Sequence, residues 1–194
     1  RQGESHPRHN WKPLPESSVI FARRRSGCIP TKSMKTLYLV RHAKSSWEFD
    51  LEDHKRPLNE RGLTDAPKMG AYIREKISLP QRIVSSDAVR AKTTALLYLK
   101  ELGIPEECLE LSHELYDFNG TGLDNFIRSC DDEVDRLMLF GHNNALTYWV
   151  NQYGSKAIDN VATAAFTMIT FDVDRWEAID RGETKLYVKP KQLK

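Results

Sequence analysis

The sequence has few cysteines, no long apolar run and no apolar leader, and each absence excludes a class of protein. Only three of the 194 residues are cysteine, and they form no C-x-x-C pair and have no histidine at ligand spacing. Neither a disulfide scaffold nor a zinc site of the cysteine type is therefore indicated. No apolar run approaches the roughly 18 residues of a membrane-spanning helix, and residues 17–22 are too short and polar for the core of a secretory signal. We therefore expect a cytoplasmic protein with no membrane partner.

Charge is unevenly distributed along the chain. The 29 Lys+Arg and 27 Asp+Glu residues give a net charge of +2, but residues 1–33 carry seven basic and two acidic side chains. Residues 34–194 are left with 22 basic and 25 acidic side chains, a net of −3. A basic pI near 8.4 is thus no sign of a basic domain, and no nucleic-acid motif accompanies it. We predict no nucleic-acid partner.

Residues 1–33 show no sustained periodicity and contain four prolines. We interpret them as a disordered or non-native N-terminal extension, with Met34 as the biological start. An Arg-rich, acid-poor segment also suits an organellar transit peptide, and a nucleic-acid-binding arm around residues 23–25 is a third alternative. Residues 34–194 are long enough for one domain with a substantial core.

Apolar runs typical of buried strands alternate with amphipathic stretches beyond Met34. Strands are predicted at residues 36–40, 82–85, 109–111, 136–140, 166–173 and 185–188. Helices are predicted from Thr64 to about residue 77, from Ser86 or Asp87 to Leu102, and over 123–130 and 145–153. Pro67 would then lie in the first turn of its helix. The pattern predicts an α/β fold, a three-layer α/β/α sandwich whose central sheet is mostly parallel with one antiparallel edge strand.

Polar groups follow three of the predicted strands. Arg41 and His42 follow the first, Arg90 lies shortly after the second, and His142 follows Gly141 at the end of another. Ligands of open α/β sheets gather at the carboxyl ends of the strands, and arginine forks match phosphate oxygens. Singly, each histidine is more often a structural hydrogen-bonding residue, and a helical arginine is more often a surface residue. Their shared position predicts a phosphate receptor.

The remaining candidates have simpler interpretations. His54 and His113 lie in polar contexts and are interpreted as surface residues. Cys108 and Cys130 are interpreted as packing residues, since no neighbouring group would lower a thiol pKa.

These residues resemble the signatures of a known family. Leu39-Val40-Arg41-His42-Ala43 is similar to the L-[VI]-R-H-[GA] motif of the histidine phosphatase superfamily (branch 1, phosphoglycerate mutase-like). Further matches follow in the family's order: Arg56-Pro57-Leu58 with Arg61-Gly62, Ser85-Ser86 with Arg90-Ala91-Lys92-Thr93, and Gly141-His142-Asn143. Thr163-Ala164-Ala165 and Pro190-Lys191 resemble the compact SixA-like phosphohistidine phosphatases. The resemblance covers about residues 34–193.

The resemblance implies a mechanism. His42 would be the nucleophile and form a phosphohistidine that water hydrolyses. Arg41, Arg90 and His142 would hold the phosphoryl oxygens and stabilise their charge. The chemistry requires no metal, and no carboxylate cluster is evident in the sequence, so neither a metal nor another cofactor is predicted.

Other roles depend on loops that the motifs do not define. Glu114 matches the position of the family's general acid, with Asp117 as its competitor, and some compact members lack this acid. Lys44, Ser45 and Ser46 follow the signature; additional phosphate contacts from Lys44 and Ser46 and a solvated loop are both open interpretations.

The sequence predicts a metal-independent phosphatase acting on a phosphorylated protein, in particular on phosphohistidine, or on a small phosphoester. The alternative is a phosphate-dependent binding module with little turnover. Ala43 and Asn144 depart from the commoner Gly and Pro, and an E-R-H-Y-like acid segment is missing, which argues against mutase activity. Few lid insertions predict an open pocket, and the oligomeric state is left open.

Overall fold

The computed structural model describes residues 34–193. Six strands form one sheet: β1 (Lys35–Arg41), β2 (Arg82–Ser86), β3 (Leu109–Ser112), β4 (Arg136–Gly141), β5 (Phe166–Phe171) and β6 (Glu183–Val188). Four helices accompany them: α1 (Glu60–Ile73), α2 (Val89–Leu102), α3 (Thr121–Arg128) and α4 (Ala145–Tyr153).

The strand order is β3-β2-β4-β1-β5-β6. Neighbouring strands from β3 to β1 pair in parallel, whereas β5 pairs antiparallel with both β1 and β6. The antiparallel pairings therefore lie at one edge, where β5 runs against the other strands and β6 covers it. The predicted α/β class with a mostly parallel sheet is confirmed.

Successive residues of β1 face opposite layers of helices. Leu37 and Leu39 belong to a core cluster with side chains of α3 and α4, such as Trp149. Tyr38 and Val40 belong to a second cluster with side chains of α1 and α2. Because side chains alternate across a strand, a fully apolar run such as Leu37–Val40 is what a sheet covered on both faces requires. These two clusters make the three layers.

The N-terminal residues of the helices differ most from those that we predicted. The N-cap of α1 is Asn59, whose Oδ1 accepts from the backbone N–H of Gly62 at 2.9 Å. Thr64, the predicted cap, lies inside the helix and donates its hydroxyl to the carbonyl of Glu60. Pro67 is consequently an interior residue of α1. Residues that can cap a helix are common in polar stretches, so the pattern alone did not select Asn59.

The loop after β1 is held by the segment that enters α1. The backbone N–H of Asn59 donates to the carbonyl of Lys44 at 3.0 Å, and that of Ser46 donates to the carbonyl of Pro57 at 2.9 Å. A Cβ at Gly62 would lie 2.2 Å from the Lys44 carbonyl oxygen, so only glycine permits this approach. Gly62 therefore permits the close approach of α1 to the loop that follows Arg41-His42.

No helix within residues 34–193 has the length and apolar character needed to cross a membrane. Our interpretations of residues 1–33 fall outside the described part of the chain and stay predictions.

Candidate active site

Two histidines meet where β1 and β4 end. The strands pair in register up to Arg41 and Gly141, and the backbone N–H of His42 donates to the carbonyl of Gly141 at 3.0 Å. The imidazoles that follow each strand lie 5.2 Å apart between ring centroids. His42 is 8% exposed and His142 is 1% exposed. The shared strand end thus brings together two residues that are 100 positions apart.

The His42 ring is held by its neighbour's backbone. Its Nδ1 lies 2.8 Å from the carbonyl oxygen of Ala43, and a carbonyl only accepts, so Nδ1 carries the proton. Nε2 is left with its lone pair. The backbone of this turn is fixed as well: the N–H of Ala43 donates to Thr94 Oγ1, and the N–H of Ala164 donates to the carbonyls of Arg41 and His42.

His142 is oriented by Ser86. Its Nε2 lies 2.8 Å from Ser86 Oγ, and the same hydroxyl oxygen accepts from the N–H of Ala88 at 3.3 Å. A hydroxyl donates one hydrogen bond and accepts two, so this contact fits either tautomer; when Ser86 donates to Nε2, the ring proton is on Nδ1. That atom is buried and has no hydrogen-bond partner among residues 34–193. A buried unpaired donor is costly unless a ligand completes it.

Both imidazoles are neutral near neutral pH. Burial lowers the pKa of His42 to about 3; the bond to Ala43 opposes this, and the charges of Arg90 and Arg41 add to it. Burial also lowers the pKa of His142 to about 2, helped by His42 and the same arginines. A neutral imidazole with a free Nε2 is a nucleophile, whereas an imidazolium is not.

Two arginines line the same strand ends. Arg90 is 1% exposed, and its two terminal nitrogens donate to Asp53, one to the backbone carbonyl and one to Oδ2 at 2.8 Å. Arg41 donates from Nη1 to the carbonyl of Val161 at 2.7 Å, and burial lowers its pKa. The Nε–H of each is buried without a partner within residues 34–193. Both guanidiniums therefore keep donors that an anion could use.

Asp53 organises this cluster, and sequence reasoning missed it. Its carboxylate accepts from Arg90, from Arg56 Nε and Nη2, and from the Tyr116 hydroxyl at 2.6 Å. Burial would raise the pKa of Asp53, but the hydrogen bonds from Tyr116, Arg90 and Arg56 outweigh it and the pKa falls. The buried Arg56 stacks on Trp47, with 3.5 Å from its central carbon to the ring centroid. Arg56 could have been found in the Arg56-Pro57-Leu58 motif; nothing in the sequence marks Asp53.

A model of the histidine phosphatase superfamily (branch 1) matches residues 37–125. The match spans 89 of the 194 residues, and this part of the chain is similar to the superfamily's model. Among curated proteins, an uncharacterised chloroplastic protein of Arabidopsis thaliana is 45% identical over 122 residues, covering 58% of this chain and 56% of the relative. An uncharacterised protein of Mycobacterium tuberculosis is 30% identical over 103 residues, covering 53% of this chain and 62% of the relative. The chain thus spans about three-fifths of the length of these relatives.

Solved structures of this superfamily's fold match most of the chain. The protein histidine phosphatase SixA complexed with tungstate has a TM-score of 0.69 at 20% identity, covering 82% of this chain and 99% of that one. A mycobacterial glucosyl-3-phosphoglycerate phosphatase has a TM-score of 0.57 at 14% identity, covering 79% and 98%. A phosphoglycerate mutase from Bacillus anthracis has a TM-score of 0.54 at 19% identity, covering 81% and 92%. The expected compact SixA-like fold is confirmed.

The two candidates for the general acid, Glu114 and Asp117, differ in their surroundings. The Asp117 carboxylate accepts from the backbone N–H groups of Asn119, Gly120 and Leu123, each at 3.0 Å, and so closes the loop before α3. Glu114 is exposed, and its carboxylate has no hydrogen bond or ion pair within residues 34–193. Asp117 is therefore a structural cap, and no described group fixes Glu114 in position.

The loop after the signature contributes differently from expectation. Lys44 is exposed and makes no ion pair with the described residues. Ser46 is buried, and its Oγ accepts from the N–H of Glu48 at 3.1 Å. Ser45, which we did not select, accepts from Arg56 Nη1 at 2.9 Å. Phosphate contacts from Lys44 and Ser46 stay predictions.

Two cysteines fit the packing role. Burial raises the pKa of the Cys130 thiol to about 11, and burial also raises that of Cys108. Neither thiol is activated as a nucleophile.

The buried histidines predict a loss of stability in mild acid. Between an unfolded pKa of about 6.5 and a folded pKa of about 3 or 2, the unfolded chain binds protons that the native protein does not. Each histidine should lower the free energy of unfolding by up to about 1.4 kcal/mol per pH unit below 6.5. Urea unfolding at pH 7 and pH 5 should therefore differ by on the order of 2–4 kcal/mol.

The variant His142→Asn should roughly halve that difference, because asparagine does not titrate. An unchanged difference in this variant would show that His142 is protonated in the native protein.

Proposed function

We propose that this chain is a phosphatase that transfers the phosphoryl group of its substrate to His42. The observation that carries the proposal is the neutral His42 ring, whose Nδ1 bonds the Ala43 carbonyl and whose Nε2 is free. The charges of the buried Arg90 and the partly buried Arg41 lie close enough to lower the pKa of this ring. The fixed tautomer aims one lone pair, which is what an in-line attack on phosphorus needs.

Arg41, Arg90 and His142 then act as the phosphoryl receptor. Each has a buried N–H without a partner among the described residues: Nε of the two arginines and Nδ1 of His142. With His142 protonated at Nδ1, these three donors would stabilise the charge that spreads over the phosphoryl oxygens. In the first step the phosphorus–leaving-group bond breaks as the bond to His42 Nε2 forms. In the second step water attacks the phosphohistidine and releases phosphate.

The substrate class follows from the leaving group. An alkoxide needs a positioned acid, whereas an imidazole leaving group demands less. Asp117 is occupied as a cap and Glu114 is held by none of the described residues, so the site is best suited to phosphohistidine. The name of the fold neighbour, a protein histidine phosphatase, supports a phosphorylated protein as partner. The lack of a group that positions Glu114 also favours the alternative, a phosphate-dependent binding module with little turnover.

The test compares two leaving groups in the presence of EDTA. Wild-type protein should hydrolyse a phosphohistidine peptide and p-nitrophenyl phosphate without added metal. Glu114→Gln should change kcat on the phosphohistidine peptide by less than about 3-fold, because a working general acid contributes about 10²–10⁴-fold.

Asp117→Asn serves as the companion variant, since it should weaken the loop before α3 and lower thermal stability. Loss of activity on chelation would overturn metal independence, and a 100-fold loss in Glu114→Gln would identify it as the acid. Tight phosphopeptide binding without turnover would establish the binding-module alternative.

An organellar location is now favoured over the cytoplasmic location that we expected for this protein. The chloroplastic relative from Arabidopsis thaliana supports the transit-peptide interpretation of residues 1–33 over a cytoplasmic protein. Fusing residues 1–33 to a fluorescent protein would distinguish the two by its distribution.

A further inference from the structure

A second cluster of polar side chains lies at the rim of the candidate active site. His54, Asp87 and His113 come from three separate segments: the turn before α1, the residue after β2, and the turn before α3. The Nε2 of His54 lies 2.9 Å from Asp87 Oδ1, and the Nδ1 of His113 lies 2.9 Å from Asp87 Oδ2. One ligand atom from each residue lies within 4.8 Å of the other two.

This spacing is close to that of a transition-metal site. Two ligands at about 2.0–2.1 Å from a tetrahedral zinc ion lie about 3.4 Å apart. Measured to the single oxygen Oδ1 of Asp87, the nitrogens of His54 and His113 lie at 2.9 and 3.2 Å, so these distances would open by up to about 0.5 Å. The two nitrogens, which lie within 4.8 Å of each other, would settle about 3.4 Å apart. Rotation of the exposed His113 side chain supplies this adjustment. Two imidazoles and one carboxylate form a known zinc donor set that leaves a fourth position open to water or a ligand.

The two imidazoles share an aromatic neighbour. Tyr116 packs edge-on against His54 at 5.0 Å between centroids and lies tilted against His113 at 5.6 Å. The same ring packs against His142 at 5.3 Å, and its hydroxyl donates to Asp53. The cluster therefore lies one aromatic ring away from the proposed phosphoryl receptor, and none of its members has a role in the proposed mechanism.

We propose that His54, Asp87 and His113 form a binding site for a divalent transition metal, with Zn²⁺ as the best-suited ion. The ion would replace the protons that the two imidazoles now direct toward Asp87. It would link three chain segments around the pocket rim and add positive charge there. This site is independent of the proposed phosphatase chemistry, which requires no metal.

The test is Co²⁺ titration of untagged, chelator-treated full-length protein, followed by displacement with Zn²⁺. We expect saturable binding of one ion with the visible absorption of four-coordinate Co²⁺. His54→Asn and His113→Asn should each weaken Zn²⁺ binding by at least about 100-fold, since loss of a ligand exceeds the 10–100-fold cost of losing a group that only orients one. Zn²⁺ at 100 times its Kd should raise the Tm of wild-type protein by about 5–10 °C, and should leave that of the two variants unchanged.

Two controls remove three of the other four histidines. The variants His42→Ala and His6→Ala/His9→Ala should bind Co²⁺ as wild type does. Absence of binding tighter than about 10 μM, equal binding in His54→Asn and His113→Asn, or loss of binding in His42→Ala would each overturn the proposal.

Discussion

Replacing His42 by alanine should lower kcat on p-nitrophenyl phosphate by at least about 10³-fold, because the covalent step loses its nucleophile. Arg41, Arg90 and His142 stay in the variant, so phosphate binding should weaken far less than turnover. A change confined to kcat is what removal of a group acting only in the reaction predicts.

Trapping the phosphoenzyme gives a second measurement. Acid-labile, base-stable radiolabel from a phosphorylated substrate should accumulate on wild-type protein and be absent from His42→Ala. His9→Ala is the matched control, since it removes a histidine from the segment to which we assign no catalytic role. Turnover of His42→Ala within 10-fold of wild type would refute the covalent mechanism while leaving the superfamily and fold unaffected.

The fold could be predicted where burial alone decides the local structure. Runs such as Leu37–Val40 have no polar residue that would suit an exposed face, so they predicted central strands, and the structure has them. The helix Ala145–Tyr153 also has the bounds predicted for it. The predicted N-terminal residues of α1 and α2 were wrong, because a polar side chain can cap a helix only when it is not engaged by another group. Ser86 and Asp87 were expected to cap α2, but their side chains bind histidines, and α2 begins after Ala88 without a side-chain cap.

The residues of the candidate site likewise include some that could be predicted from the sequence and some that could not. Residues at strand ends, such as His42 and His142, could be placed together because a parallel sheet brings its carboxyl ends to one edge. Asp53 could not, since its partners Arg90 and Tyr116 are 37 and 63 positions away and no motif links them. His54 and His113 were interpreted as surface residues because they lie in polar contexts, and His113 is indeed exposed. Their shared contact with Asp87 could not be predicted, since Asp87 is distant from both in sequence. These contacts depend on how the loops pack against one another, and the hydrophobic periodicity of the sequence does not indicate that packing.

Replacing Arg90 by lysine should lower kcat/KM by about 10²–10³-fold even though the positive charge is kept. Arginine offers five N–H donors in a fixed fork, two of which Asp53 engages here. A lysine ammonium at this place would pair with Asp53. It could not also supply the arginine N–H donors that Asp53 leaves unengaged, including the buried Nε–H. The affinity for orthovanadate should fall in parallel, because the proposed phosphoryl receptor would lose the donors of Arg90.

Arg82 provides the matched control for this substitution. It is a buried arginine whose Nη2 donates to Glu110 at 2.8 Å, but it begins β2, at the end of the strand opposite Ser86. Arg82→Lys should therefore lower thermal stability about as much as Arg90→Lys while leaving kcat/KM within about 2-fold, since no reacting group is near. If Arg90→Lys lost stability yet kept its kcat/KM, the guanidinium would serve only to anchor Asp53. The phosphoryl receptor would then consist of Arg41 and His142.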